Sequence, residues 1–142
     1  MISTVSKTLK SPYAILVLIR LIATMVNEHP PLFNELESFL RNKNEMVVYE
    51  AAKTITLLEN PLPTQKQLYP AVSALQMLLV SHKPVLRFAA IRTLNRLAMV
   101  NPTAVSGCNL DLENLLTDPN RSIATFAITA LLKVLLSSNE RI

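Results

Sequence analysis

The chain is predicted to be all-α, and three observations carry the prediction. The first is self-similarity. Residues 83–99, KPVLRFAAIRTLNRLAM, set Leu86, Ala90, Ile91, Leu94 and Leu97 down one side of a helix at three-and-four spacing. The same template lies 39 residues earlier on Val47, Ala51, Ala52, Ile55 and Leu58, and 37 residues later on Ile123, Ala127, Ile128, Leu131 and Val134. A weaker fourth copy falls on Ala14, Leu18, Ile19, Ile22 and Met25. The second observation is composition: half of the 142 residues are apolar and there is a single glycine, Gly107, which disfavours tight-turn β architectures. The third is punctuation, because Pro or Asn precedes each copy. A period of 37–39 residues with two helices per unit is that of an α-solenoid of HEAT/armadillo-like helical pairs, here about three to four repeats. The alanine in each copy lets its helix lie close against a neighbour.

The elements follow in order. Residues 1–10 read as the end of a helix whose partner is missing. Ser11 is positioned to cap, and Pro12 to open, a helix over 12–26, where a missing N–H costs nothing. His29-Pro30-Pro31 ends it. A helix over 32–41 then presents Leu32, Phe33, Leu36, Phe39 and Leu40. Asn44 caps the repeat helix at 45–58, and Asn60-Pro61-Leu62-Pro63 is a loop, since each proline disfavours helix for the residue before it. A helix over 67–80 carries the stripe Val72, Leu75 and Leu79. After the helix at 83–99, Asn101-Pro102 breaks the chain again. Asn109 is expected to cap a helix over 110–117, with Asp111 and Glu113 at its positive end. Asp118-Pro119-Asn120 links to the last helix, 121–136. Such pairs cannot bury their apolar faces alone, so the 142 residues are expected to be one segment cut from a longer solenoid, with an apolar patch at each end.

Composition excludes several chemistries. Scarce glycine removes phosphate loops and dinucleotide fingerprints. One cysteine, Cys108, cannot form an internal disulfide, and a reduced cytoplasmic setting is expected. The longest unbroken apolar run, 14–19, is six residues and Arg20 follows it, so no segment is expected to span a bilayer. His29 and His82 sit beside helix-breaking prolines with no ligand at metal spacing, and read as solvated turn residues. Glu35/Glu37 and Asp111/Glu113 have no facing acid for paired-carboxylate work. Cys108 has no base nearby in sequence and reads as a small buried residue. No catalytic residue, cofactor or metal ligand is assigned, and no small-molecule substrate is expected.

Basic residues carry more. The net charge is +4. Arg92 and Arg96 are one turn apart on the central helix, and Arg87 lies on the same helix. Arg41 and Lys43 precede one repeat helix and Arg121 begins another. Equivalent positions on successive repeats line up, so these six form a candidate partner interface for an acidic protein surface, lipid phosphates or a nucleic-acid backbone. Arginines between repeats also satisfy carbonyls at helix ends.

Three stretches carry a family resemblance. LRNKNEMVVYEAA (residues 40–52), LRFAAIRTLNRLAM (86–99) and NLDLENLLTDPNRSIATFAITALLK (109–133) resemble the adaptin-like trunk of the gamma subunit of coatomer, the COPI vesicle coat. The likeness covers nearly the whole chain, while the loops at 27–31 and 60–67 are less typical of the family. The resemblance implies an internal piece of a non-enzymatic scaffold in the cytoplasm, peripheral on Golgi membranes and COPI vesicles. It implies pairing with a zeta-type small subunit and other coatomer subunits. It also implies recruitment by an Arf-family GTPase, mostly through neighbouring repeats, in Golgi-to-ER and intra-Golgi transport. The alternative is a generic HEAT scaffold or a HEAT-like nucleic-acid binder. The absence of Trp and the 5% aromatic content argue against the binder, which would want stacking platforms.

Overall fold

The computed structural model describes residues 9–59 and 62–140, with side chains through residue 138. The expectations for residues 1–8 and for Asn60-Pro61 lie outside the described residues. The chain forms two compact units, Met1–Ala74 and Leu75–Ile142. Among the described residues all regular structure is helical.

In the first unit α1 spans Pro12–Met25 and buries Ile15, Leu18, Ile19 and Ile22. Ser11 has the extended backbone of a cap, but its side chain makes no capping bond, contrary to expectation; Pro12 at the first turn starts the helix instead. The single helix expected over 32–41 is broken into a 3-10 turn at Pro30–Leu32, a short α2 at Phe33–Ser38 and a second 3-10 turn at Phe39–Arg41. Both ends are tightened by bonds that reach back three residues: Leu32 N donates to His29 O at 2.9 Å and Asn42 N to Phe39 O at 3.1 Å. Phe33, Leu36 and Phe39 are nevertheless buried as the stripe required.

Helix α3, Glu45–Leu57, is capped as expected: Asn44 Oδ1 accepts from Met46 N at 2.9 Å and Val47 N at 3.4 Å. Val47, Ala51, Ala52 and Ile55 are fully buried, and α3 packs on α1 and α2. Helix α4, Gln65–Leu78, begins two residues earlier than expected. The cause is a capping box: Gln67 N donates to Thr64 Oγ1 at 3.2 Å while Thr64 N donates to Gln67 Oε1 at 3.0 Å. The division between the units falls within α4.

In the second unit α5 spans Pro84–Val100, a short α6 Pro102–Val105, α7 Asn109–Leu115 and α8 Arg121–Glu140, with a 3-10 turn at Ser106–Cys108. Leu86, Ala90, Ile91, Leu94 and Leu97, the five positions of the central stripe, are all buried. Asn101 Oδ1 accepts from Ala104 N at 3.3 Å, and Asn120 Oδ1 from Ser122 N at 2.9 Å and Ile123 N at 3.3 Å, so two asparagines start the helices that follow them. Asn109 does not cap. The preceding 3-10 turn keeps the chain helical, so Asn109 stands inside α7 with φ −54° and ψ −45°, and its Oδ1 is buried without a partner.

Helix α8 packs on α5 and α7. Its direction relative to α5 is fixed at both ends. Phe88 and Phe126, near the two N-termini, meet edge to face with centroids 5.7 Å apart. Pro102 and Thr103, just after α5, line a small cleft with Val134, Ser137 and Ser138. The two repeat helices therefore run parallel, as consecutive equivalent helices of stacked pairs do. Ala90 and Ala127 are fully buried on these two helices.

Two expectations for α8 are corrected. Ile128 belongs to the repeated template yet is 46% exposed. The face of α8 that carries it, with Leu132, Leu135 and Leu136, is not covered by α5 or α7. The helix is also longer than expected, and its window Arg121–Ser138 has mean hydropathy 1.4, so among the described residues one helix is long and apolar enough, by length and composition alone, to cross a membrane. The longest-run criterion missed this because Thr125, Thr129 and Lys133 cut the apolar stretch into pieces of two or three residues while the average over the window stays high. In the structure this helix packs against α5 and α7 through Ile123, Ala127, Ala130 and Val134.

Candidate protein-docking face

The six basic residues singled out by sequence fall into different environments. Arg41 closes the 3-10 turn Phe39–Arg41 and Lys43 lies in the link before α3; both are exposed and belong to the first unit. Arg87 is largely withdrawn from solvent, with 18% of its side chain exposed. Its Nε donates to Asp118 Oδ2 at 3.2 Å, and its Nη1 donates to Ser81 O at 2.9 Å, in the turn that follows α4. Asp118 in turn accepts at Oδ1 from Asn120 N at 2.8 Å. One charge-assisted relay thus joins the turn after α4, the first turn of α5 and the cap of α8.

Arg92, Arg96 and Arg121 are exposed, and among the described residues none has an acidic partner. Arg92 and Arg96 share one face of α5 because four residues make about one turn. Arg121 sits at the start of α8, near the end where Arg87 is, so it stands apart from them. Lys133, which sequence reasoning did not single out, is exposed on α8. The parallel register of α5 and α8 brings it level with Asn95 and Arg96. The signal was present: the 37-residue offset that maps Leu86 onto Ile123 maps Arg96 onto Lys133.

A second charged cluster in the first unit was also missed. Glu50 lies on the buried side of α3, 8% exposed, between Arg20 Nε of α1 and Lys53 Nζ, each at 3.4 Å. Lys53 Nζ is also 5.7 Å from the Tyr49 ring centroid. A carboxylate one residue before the repeat alanine was the clue. This cluster joins α1 to α3 and uses its charges internally.

Other candidate chemistry is dispersed. His29 and His82 are exposed, and among the described residues no three His, Cys, Asp or Glu side chains gather as a metal site. Cys108 is buried, and its thiol is pushed up to about 11 by burial and, secondarily, by the charge of Asp111. A thiol held protonated is a poor nucleophile. Asp111 itself accepts a hydrogen bond from Gln76 Nε2.

Helical pairs with buried repeat alanines, parallel equivalent helices and asparagine caps define the class of HEAT/armadillo-like helical proteins, and the comparisons agree. The sequence profile described as the adaptin N terminal region matches residues 2–142, and the chain belongs to that family. Within it the chain is similar to the gamma subunits of coatomer. It is 57% identical to coatomer subunit gamma-2 of Xenopus tropicalis and 56% identical to that of Homo sapiens, each over 88% of this chain and 15% of the relative. It is 55% identical to coatomer subunit gamma-1 of Homo sapiens over 94% of this chain and 16% of the relative. The chain thus spans about one sixth of the length of these curated relatives. No solved structure matches it.

Proposed function

We propose that the chain is a non-enzymatic scaffold segment of the COPI vesicle coat, acting in the cytoplasm at the surface of Golgi membranes and vesicles. Its work is to hold other coat subunits, a zeta-type small subunit first among them. Recruitment by an Arf-family GTPase in its GTP form falls mainly to neighbouring repeats, and the transport served is Golgi-to-ER retrieval and traffic within the Golgi. The observation that carries this reading is identity of 55–57% to coatomer gamma subunits, maintained across 88–94% of the chain. Stacked helical pairs support it, because the surfaces of such stacks are extended. Stable protein interfaces need on the order of 800 Å² from each side, which a face of two or more helices supplies.

The test is co-purification of the chain with a zeta-type small subunit, set against binding to duplex DNA across a salt series. Retention of the small subunit, with weak DNA binding, is the expected result. Steeply salt-dependent DNA binding without retention of the subunit would replace this reading with that of a nucleic-acid binder.

A further inference from the structure

We infer that the exposed strip formed by Arg92 and Arg96 of α5 and Lys133 of α8 docks an acidic segment of a protein partner, whose carboxylates sit on the two guanidiniums and the ammonium. The inference rests on the scaffold reading and gives its partner a chemistry.

Charge in the second unit is segregated by layer. Its acids are Asp111 and Glu113 on α7, Asp118 in the link, and Glu140. Helix α5 contains none, and α8 meets its first only at its last residue. Asp118 is engaged by Arg87 and Asp111 by Gln76. Glu113 is exposed on α7, and among the described residues no ion pair joins an acid to Arg92, Arg96 or Lys133, two of which repel each other across one turn of helix. A partner carboxylate relieves that repulsion, and arginine's planar fork binds it through two parallel hydrogen bonds.

Geometry gathers these cations. The Phe88–Phe126 contact and the cleft between Pro102 and Val134 fix α5 and α8 in parallel, with Lys133 level with Asn95 and Arg96. Met99, 47% exposed one turn beyond Arg96, adds an adaptable apolar contact on the same side.

The number of cations selects the ligand class. Polybasic membrane sites use about four to eight Lys or Arg, and duplex-binding proteins neutralise about six to ten phosphates. Three cations suit a short acidic peptide. Aromatic platforms for bases are also lacking on the strip: Phe88 and Phe126 are half-buried against each other, and all three tyrosines lie in the first unit.

The experiment is fluorescence anisotropy of a fluorescein-labelled oligoglutamate peptide with the full 142-residue chain. Phosphatidylserine vesicles and duplex DNA serve as competing probes. The combined R92E, R96E and K133E variant is expected to lose about tenfold or more in peptide affinity with an unchanged circular dichroism spectrum, whereas R121E loses less than about twofold. Arg92→Lys with Arg96→Lys, which keeps charge but not the fork, is expected to fall between. If the reversal variant does not fold, Arg96→Gln and Lys133→Gln, both exposed neutralisations, are read in its place. Equal peptide affinity of variant and wild type overturns the inference. So does an R121E loss as large as the triple reversal, or tighter binding to vesicles or DNA than to peptide. A parallel pull-down with a zeta-type subunit separates the two readings. Failure of the wild type to hold the subunit sinks the scaffold reading, whereas equal retention by wild type and reversal variant leaves that reading standing and sinks this inference.

Discussion

Asp118 engages both carboxylate oxygens, one with Arg87 and one with the backbone of Asn120. Its side chain is 7% exposed and that of Arg87 18%, so the pair is screened less than a surface ion pair and desolvated less than a core one. Asp118→Ala is expected to cost about 1.5–3 kcal/mol, the range for hydrogen bonds to charged groups, read as a lowered urea midpoint with unchanged slope. Removing both partners should cost less than the sum of the single variants, because each single variant leaves one group unpaired. Cys108 gives a second test at this scale. Its ordinary value is 9.0 and its folded value about 11, so the unfolded state releases the proton first as pH rises. Stability held by the protonated thiol is complete below pH 9 and is lost between about 9 and 11. Cys108→Ala should remove that part of the alkaline decline in thermal stability, and the native thiol should resist alkylation at pH 8 until the chain is unfolded.

The helices themselves were the most legible part of the sequence. The central stripe was right at every position, because a period near 3.6 over five turns leaves one burial pattern. Leu94 is fully buried at its centre, so Leu94→Asp places an unpaired charge there; it is expected to unfold the second unit, or to lower its stability by several kcal/mol, in thermal melts. Local chemistry was legible where one side chain decided it, as with Asn44. Asn120→Ala, which removes two bonds to the start of α8, should cost about 1 kcal/mol, with the loss visible in the denaturation midpoint. Legibility failed where two signals competed. Asn109 has the chemistry of a cap, but the 3-10 turn before it had already begun the helix. The segment 32–41 has a helical stripe, but tight bonds reaching back three residues at both its ends shorten the α-helical part.

At the scale of the whole chain, fold class and family could be read from repeats and from three motifs, whereas the candidate face could be read only in part. Arg87 and Arg92 look alike in sequence, yet one is spent on Asp118 and Ser81 and the other is not; that difference depends on where the link at 118–120 lies in space. Lys133 was overlooked because a lone lysine in an apolar helix carries no local signal. Exposure of Ile128, Leu132, Leu135 and Leu136 on α8 predicts that the chain self-associates at high concentration. Sedimentation velocity of Leu132→Lys combined with Leu136→Lys should show a shift towards monomer with the helical spectrum retained.

The layering of charge in the second unit acts before anything touches it. Cations on α5 and α8 and carboxylates on α7 give that unit an electric dipole, and a dipole turns a molecule in the field of an approaching partner. Encounters should then be biased in orientation while the two surfaces are still a Debye length apart, about 8 Å in physiological salt, and adding salt should slow arrival more than it hastens departure.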